Sequence, residues 1–216
     1  MIGQPLRRHA LLLAVVVGVV ALLWLSAGLQ AAFAEALASA DAFVDRHPLA
    51  SRLAFVALAA VSAILMFFSS VALVPVAVYA WGTGETVVLL LLGWFLGGHL
   101  AYAIGRFLGR RVAEHFVAAR DLDRCADLLS VRMSVAEVAL VKAMLPAEAP
   151  SIVLGVLRYP YVKLVPVLLL SELPFALWSV YLGRALVEDQ RLAFVLALLA
   201  GGAVFVVVAH RVARRR

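Results

Sequence analysis

Four ionisable residues interrupt or end otherwise apolar stretches of this sequence, and they are the first candidates for chemistry. Lys142 and Glu148 share one such stretch, Glu172 lies well inside another, and Arg106 ends a third. A guanidinium can make two parallel hydrogen bonds to a phosphate, whereas lysine acts as a point charge. The residue types predict that Arg106 and Lys142 bind a phosphate. Glu148 belongs to the same predicted binding site, and Glu172 is a candidate charge partner or proton acceptor.

A purely structural role is the alternative for each of these residues. Lys142 would then pair with Glu148 or extend its stem toward a membrane surface, and Arg106 would be an interfacial anchor. An ionisable group at the centre of a bilayer costs about 2.5–3.5 kcal/mol even on permissive scales, so each one needs a partner or a role. The sequence leaves both interpretations open.

Composition places the chain in a membrane. Of its 216 residues 65% are hydrophobic and 15% are charged, and the mean hydropathy is +1.04. Soluble domains have about 25% charged and about 45–50% apolar residues. The net charge of +6 comes from basic residues at the ends of apolar runs, which is a topology signal and does not indicate nucleic-acid binding.

Neither a metal nor a cofactor is expected. The lone Cys125 excludes an internal disulfide and makes a thiolate metal site very hard to build. The five histidines show no metal-ligand spacing such as HExxH.

Six apolar segments organise the chain. Segments 10–32, 86–105, 163–184 and 192–209 are predicted to be spanning helices, since a bilayer core about 30 Å thick needs roughly 20 helical residues. Segments 53–80 and 133–155 are interrupted instead, the first before a polar stop at 82–85. The interruptions include three prolines, each of which would break a helix: Pro75, Pro146 and Pro150.

The interrupted segments are predicted to be re-entrant hairpins whose tips the prolines shape. Broken backbone at membrane depth is tolerated only where it is buried in protein or faces a wet cavity. The alternative is a pair of proline-kinked full spans. With hairpins, the basic residues concentrate on the side of both termini, which predicts cytoplasmic termini.

A hairpin followed by a span occurs at 53–105 and again at 133–184, entering from the opposite face. Such inverted units predict a binding site near the membrane midplane. The predicted fold is an all-α integral membrane protein with an inverted repeat of hairpin plus helix. Its predicted parts are an N-terminal helix and connector (1–49), a membrane domain (50–187), and a C-terminal helix with a basic tail (188–216).

Small residues recur at helical spacing in the second span. Glycines at i and i+4 let helices approach closely. Helix packing is therefore predicted for Gly93, Gly97, Gly105 and Gly109.

The same glycines carry a family resemblance. The block Gly93 to Arg110 resembles the G…G…Y-x-x-G-R-x-x-G signature of the DedA / SNARE-associated (VTT-domain) family. The region around Ser69, Ser70 and Pro75 resembles that family's first re-entrant loop, and Pro146 to Gly155 resembles its second. The resemblance covers roughly residues 50–187.

The resemblance implies a lipid flippase or scramblase of the bacterial inner membrane that moves undecaprenyl phosphate or phospholipid without covalent chemistry. Its partners would be membrane lipids. Many members place a carboxylate in the first loop, where this chain has Ser69 and Ser70, and another where Gly98 stands. In the second loop they place arginine three residues before a proline, whereas Lys142 lies four before Pro146. These departures put proton coupling in question.

Two other functions remain open from the sequence. A membrane enzyme acting on a lipid phosphate would need nucleophiles or carboxylates, for which Ser69, Ser70, Asp121 and Asp123 are the candidates. A scaffold that organises membrane partners would need neither. The lipid, the coupling ion and the oligomeric state are not determined by the sequence, and a homo-oligomer is compatible with it.

Overall fold

A computed structural model describes residues 44–64, 70–115, 119–129, 133–145, 148–190 and 192–201. Within these ranges nearly every residue is helical and no strand occurs. The stretches Ser70–Val112 and Tyr161–Val187 are long and apolar enough to cross a membrane. The described chain is thus all-α with membrane-type helices, as predicted. The predicted span 10–32 and the end of the predicted span 192–209 lie outside the described residues.

The helices follow in chain order with short connections. They are α1 (Pro48–Ile64), α2 (Val74–Ala103), α3 (Gly109–Ala113), α4 (Ala119–Leu128), α5 (Val135–Met144), α6 (Ala149–Val156), α7 (Tyr161–Val187) and α8 (Leu192–Gly201). A 3-10 turn, Ser70–Leu73, precedes α2, and a π-helical turn, Ile104–Leu108, follows it.

Helix α2 is broken at Gly82, which divides it into a first half (74–81) and a second half (83–103). Gly82 has φ 75° and ψ 172°, a conformation open essentially to glycine alone. At the polar stop that the sequence shows at 82–85, the helix axis therefore changes direction sharply.

The first half of α2 runs back along α1. Arg52, near the start of α1, forms an ion pair with Glu85 and lies 5.9 Å from the centre of the Trp81 ring. Trp81 also packs edge-on against Phe55, with ring centres 5.6 Å apart. The residues on both sides of the Gly82 break are therefore level with the beginning of α1.

The second half of α2 packs closely on α1 through glycines. A Cβ on Gly97 would lie 2.7 Å from the Ala60 carbonyl oxygen, and one on Gly93 would overlap Ala59. Real Cβ contacts are essentially never so short, so the two helices could not approach this closely with any larger residue at these positions. The structure thus places two of the four predicted packing glycines at one helix–helix contact.

The second half of α2 and α7 lie side by side in opposite directions. The Tyr102 hydroxyl donates to the Tyr159 carbonyl oxygen at 2.7 Å, just before α7 begins. Farther along α7, Gly183 lies against Val74 at the start of α2. These two long helices form the frame on which the shorter helices α5 and α6 pack.

Helix α5 begins at a capping box formed by Ser134 and Glu137. The Ser134 hydroxyl accepts from the Glu137 backbone N–H at 3.3 Å, and the Glu137 carboxylate accepts from the Ser134 N–H at 2.8 Å. Two otherwise unpaired donors at the helix start are satisfied in this way. The box fixes where α5 starts and so how deep Lys142 lies.

Candidate functional site

Three charged side chains meet in the interior of the described structure. The Lys142 Nζ atom lies 2.9 Å from Glu148 Oε1 and 3.2 Å from Glu172 Oε1. Each of the three residues is only 5–6% exposed. We refer to Lys142, Glu148 and Glu172 as the ionic cluster.

Each member of the ionic cluster comes from a different helical segment. Lys142 lies in the last turn of α5, Glu148 is the N-cap residue of α6, and Glu172 lies in the middle of α7. A carboxylate at a helix N-terminus is favoured by the partial positive charge there. Glu148 therefore lies where the field of α6 favours its negative charge, although its carboxylate makes no capping hydrogen bond to the backbone N–H groups of that helix.

The two carboxylates of the cluster differ in how well they are satisfied. Glu148 accepts from Lys142 with one oxygen and from the Ser151 hydroxyl with the other. Glu172 accepts from Lys142 with Oε1, whereas its Oε2 is buried and finds no hydrogen-bond partner in the described part of the chain. Buried polar atoms are nearly always paired, so this oxygen is available to a proton or to a ligand.

The charges of the cluster do not balance. One ammonium group faces two carboxylates, which leaves one negative charge when all three groups are ionised. Charges buried away from water are retained only when they are paired and hydrogen-bonded. A proton on one carboxylate makes the cluster neutral.

Gly98 stands at a position where the family resemblance leads one to expect a carboxylate. A Cβ on Gly98 would lie 3.4 Å from Glu172 Oε1 and 2.8 Å from Leu168 Cδ2. The Glu172 carboxylate, brought in by α7, therefore lies directly beside the position from which the family carboxylate is missing.

Arg106 is not part of the ionic cluster. It is exposed at the π-helical turn after α2, and its side chain forms no ion pair or hydrogen bond with another described residue. It lines an open groove of about 470 Å³ together with His99, Tyr102, Phe107 and Tyr161. The two cations predicted to share one phosphate thus lie in two different environments, one buried and one exposed.

Two of the three prolines predicted to shape hairpin tips begin helices. Pro75 is the second residue of α2 and Pro150 is the second residue of α6, and both are buried. Proline suits the first turn of a helix because the backbone N–H that it lacks has no intrahelical partner there. Pro146 lies outside the described residues.

Gly105 and Gly109, the other pair of predicted packing glycines, differ from each other. A Cβ on Gly105 would overlap the Ile152 carbonyl oxygen of α6, so this glycine permits close helix contact. Gly109 has a φ of 72° and no neighbouring atom within reach of a Cβ. The positive φ accounts for a glycine at position 109, and the described part of the chain shows no close packing contact at this residue.

Two residues that the sequence analysis did not single out are Ser151, which contacts the ionic cluster, and Tyr161, which lines the Arg106 groove. Ser151 lies three residues after Glu148, a spacing that places both on one face of a helix and could have identified it. Tyr161 contacts the His99 ring, with centres 5.5 Å apart, across a separation of 62 positions that no local pattern reveals.

No metal-type cluster of three or more His, Cys, Asp or Glu side chains occurs among the residues that the structure describes. The serine and carboxylate candidates for enzyme chemistry are dispersed. Ser70 accepts from Trp94 Nε1 at 3.1 Å, and Asp123 accepts from Arg110 at 2.6 Å on an exposed surface. Ser69 and the Asp121 side chain lie outside what the structure describes.

Comparison with known proteins gives one match. The family model of the VTT domain matches residues 64–185, which is more than half of the chain. The match lies within the predicted membrane domain, 50–187. No curated protein and no solved structure matches the chain.

Proposed function

The chain belongs to the VTT-domain family, and from this premise we propose that it moves phosphate-bearing lipids across the bacterial inner membrane. The substrate class is undecaprenyl phosphate or a phospholipid. Membrane lipids are its partners, and the transfer involves no covalent chemistry and no cofactor. The observation that carries the proposal is the ionic cluster, which is buried where the short helices α5 and α6 pack against the two long apolar helices.

The ionic cluster offers a lipid phosphate an exchangeable cation. Lys142 has two carboxylate partners, and the contact with Glu172 is the longer of the two. An incoming phosphate that replaces Glu172 keeps the ammonium group paired, provided that Glu172 takes up a proton. Phosphate transfer and proton uptake are then linked through one side chain.

Two short helices support the re-entrant arrangement that the proposal needs. The first half of α2 and the whole of α6 each contain eight residues, or about 12 Å of helix at 1.5 Å per residue. A bilayer core is about 30 Å thick. Neither segment is long enough to cross, so we propose that each returns to the face from which its hairpin entered.

Reciprocal contacts support an inverted repeat. Gly105, near the end of the first long helix, lies against α6, the return helix of the second hairpin. Gly183, near the end of the second long helix, lies against Val74 and Pro75, at the start of the first return helix. Each unit thus contacts the other in the same way. With the basic residues 106–132 on the cytoplasmic side, we propose that both termini lie on that side as well.

Reconstitution into lipid vesicles tests the proposed function. Purified protein is placed in vesicles that contain a trace of fluorescent phospholipid, and a membrane-impermeant reductant is added outside. We expect the reductant to bleach label from both leaflets, whereas in protein-free vesicles the inner leaflet stays protected. Protection equal to that of the protein-free vesicles with every phosphate lipid tried, undecaprenyl phosphate included, would contradict the proposal. Analysis of the recovered lipid distinguishes an enzyme, since a translocase returns it chemically unchanged.

A further inference from the structure

A glycine followed by an arginine lies near the C-terminal end of each long helix. Gly105-Arg106 lies in the π-helical turn just after α2, and Gly183-Arg184 lies near the end of α7. Each arginine lines a groove together with a residue from the beginning of the other long helix. Tyr161, the first residue of α7, lies in the Arg106 groove, and Thr83, at the start of the second half of α2, lies in the Arg184 groove. The grooves lie at opposite ends of the antiparallel pair formed by α7 and the second half of α2.

The charges of the two grooves differ. Arg184 donates to Glu188 at 2.7 Å, and Gln190 donates to the other oxygen of Glu188 at 2.8 Å. Arg106 has no acidic partner in the described ranges. An anion arriving at Arg184 meets the negative charge of Glu188 and competes with it, whereas an anion arriving at Arg106 meets no acidic partner among the described residues.

The Arg106 groove also suits an acyl chain. Leu96, Leu100 and Phe107 lie on one helical face beside Arg106 and are 48%, 52% and 80% exposed. Leu96 and Leu100 are four residues apart and share a helix face, and Phe107 lines the same groove, so these side chains form an apolar strip that leads to the guanidinium. The matching ligand has a negative head at the membrane surface and a hydrocarbon tail within the bilayer.

We propose that the Arg106 groove is a docking site for the phosphate of an anionic lipid at one membrane face. We also propose that its counterpart at Arg184 is held closed by Glu188. The inference rests on the proposed function and adds to it a loading site apart from the ionic cluster. Charge-assisted bonds between arginine and phosphate fix the head, while the tail lies along the apolar strip.

Native mass spectrometry of the detergent-purified full chain with dioleoyl phosphatidic acid tests the docking site. Arg106→Gln is expected to weaken binding about tenfold or more, as the loss of a charge-assisted hydrogen bond implies. The matched variant Arg184→Gln should bind as the wild type does, and Glu188→Gln should add a second binding event. Arg106 has no partner to lose within the described structure, so Arg106→Gln should keep the wild-type melting temperature.

Two further ligands separate the contributions of head and tail. Dioleoylglycerol has the same tails without the phosphate, and inorganic phosphate has no tail. We expect neither to bind measurably or to compete with phosphatidic acid. Equal binding by the wild type and by folded Arg106→Gln, or equal losses in the two arginine variants, would overturn the proposal. Binding is measured without transfer, so a failed transfer assay with intact Arg106-dependent binding would count against the proposed function alone.

Discussion

Replacing Lys142 with methionine is expected to abolish lipid transfer in reconstituted vesicles. The same change should lower the free energy of unfolding by about 3–5 kcal/mol, because removing one partner of a buried ion pair leaves uncompensated charge. Here Glu148 and Glu172 would face each other without their shared cation. Transfer is read from the bleaching of fluorescent phospholipid, and stability is read from thermal unfolding in detergent.

A neutral triple variant separates function from folding. K142M/E148M/E172M removes all three charges together, and replacing a complete buried ionic group with apolar residues of similar volume is often close to neutral for stability. We expect this variant to insert, to melt near the wild-type temperature and to transfer no lipid. Wild-type transfer by it would show that the cluster has only a structural role.

Glu172→Gln is expected to have the second largest effect, the loss of the pH response of transfer. The Lys142–Glu148 pair and the Ser151 hydrogen bond stay in place, so the fold should be retained. The glutamine amide can still accept from Lys142 but cannot take up a proton. Transfer measured in mildly acidic and mildly alkaline buffers should therefore differ for the wild type and agree for Glu172→Gln.

Glu85→Gln is the matched control for Glu172→Gln. Glu85 pairs with Arg52 and its side chain is 39% exposed, so the change removes a carboxylate from the protein without touching the ionic cluster. It should keep the wild-type response to pH. A wild-type response in Glu172→Gln as well would remove Glu172 from the proton step.

That Lys142, Glu148 and Glu172 must find partners within the membrane domain could be predicted from the sequence for one physical reason. Ionisable groups within apolar stretches are costly, so their presence identifies positions that must find partners. The 30-residue separation of Lys142 from Glu172 shows where this reasoning ends. Which helix faces meet depends on the packing of α5 on α7, and that is not encoded in any local spacing.

Arg106 and Gly109 show the same limit. Arg106 was predicted beside Lys142 because both suit phosphate, yet the π-helical turn at 104–108 places it on the exterior. Gly109 has the spacing of a packing glycine but a backbone conformation that favours glycine for another reason. Residue type identified the candidate residues, whereas backbone geometry determined what each of them contacts.

In the proposed topology each hairpin returns to its own face and so places the ionic cluster inside the bilayer. Single cysteines in a Cys125→Ser background, treated with an impermeant maleimide on intact and on permeabilised cells, test it most directly. The exposed positions Leu49 and Gly84 flank the first hairpin, and Ala136 and Val162 flank the second. We expect cysteines at 49 and 84 to react in intact cells, and those at 136 and 162 to react only after permeabilisation. Labelling of 49 and 84 from opposite faces would contradict it.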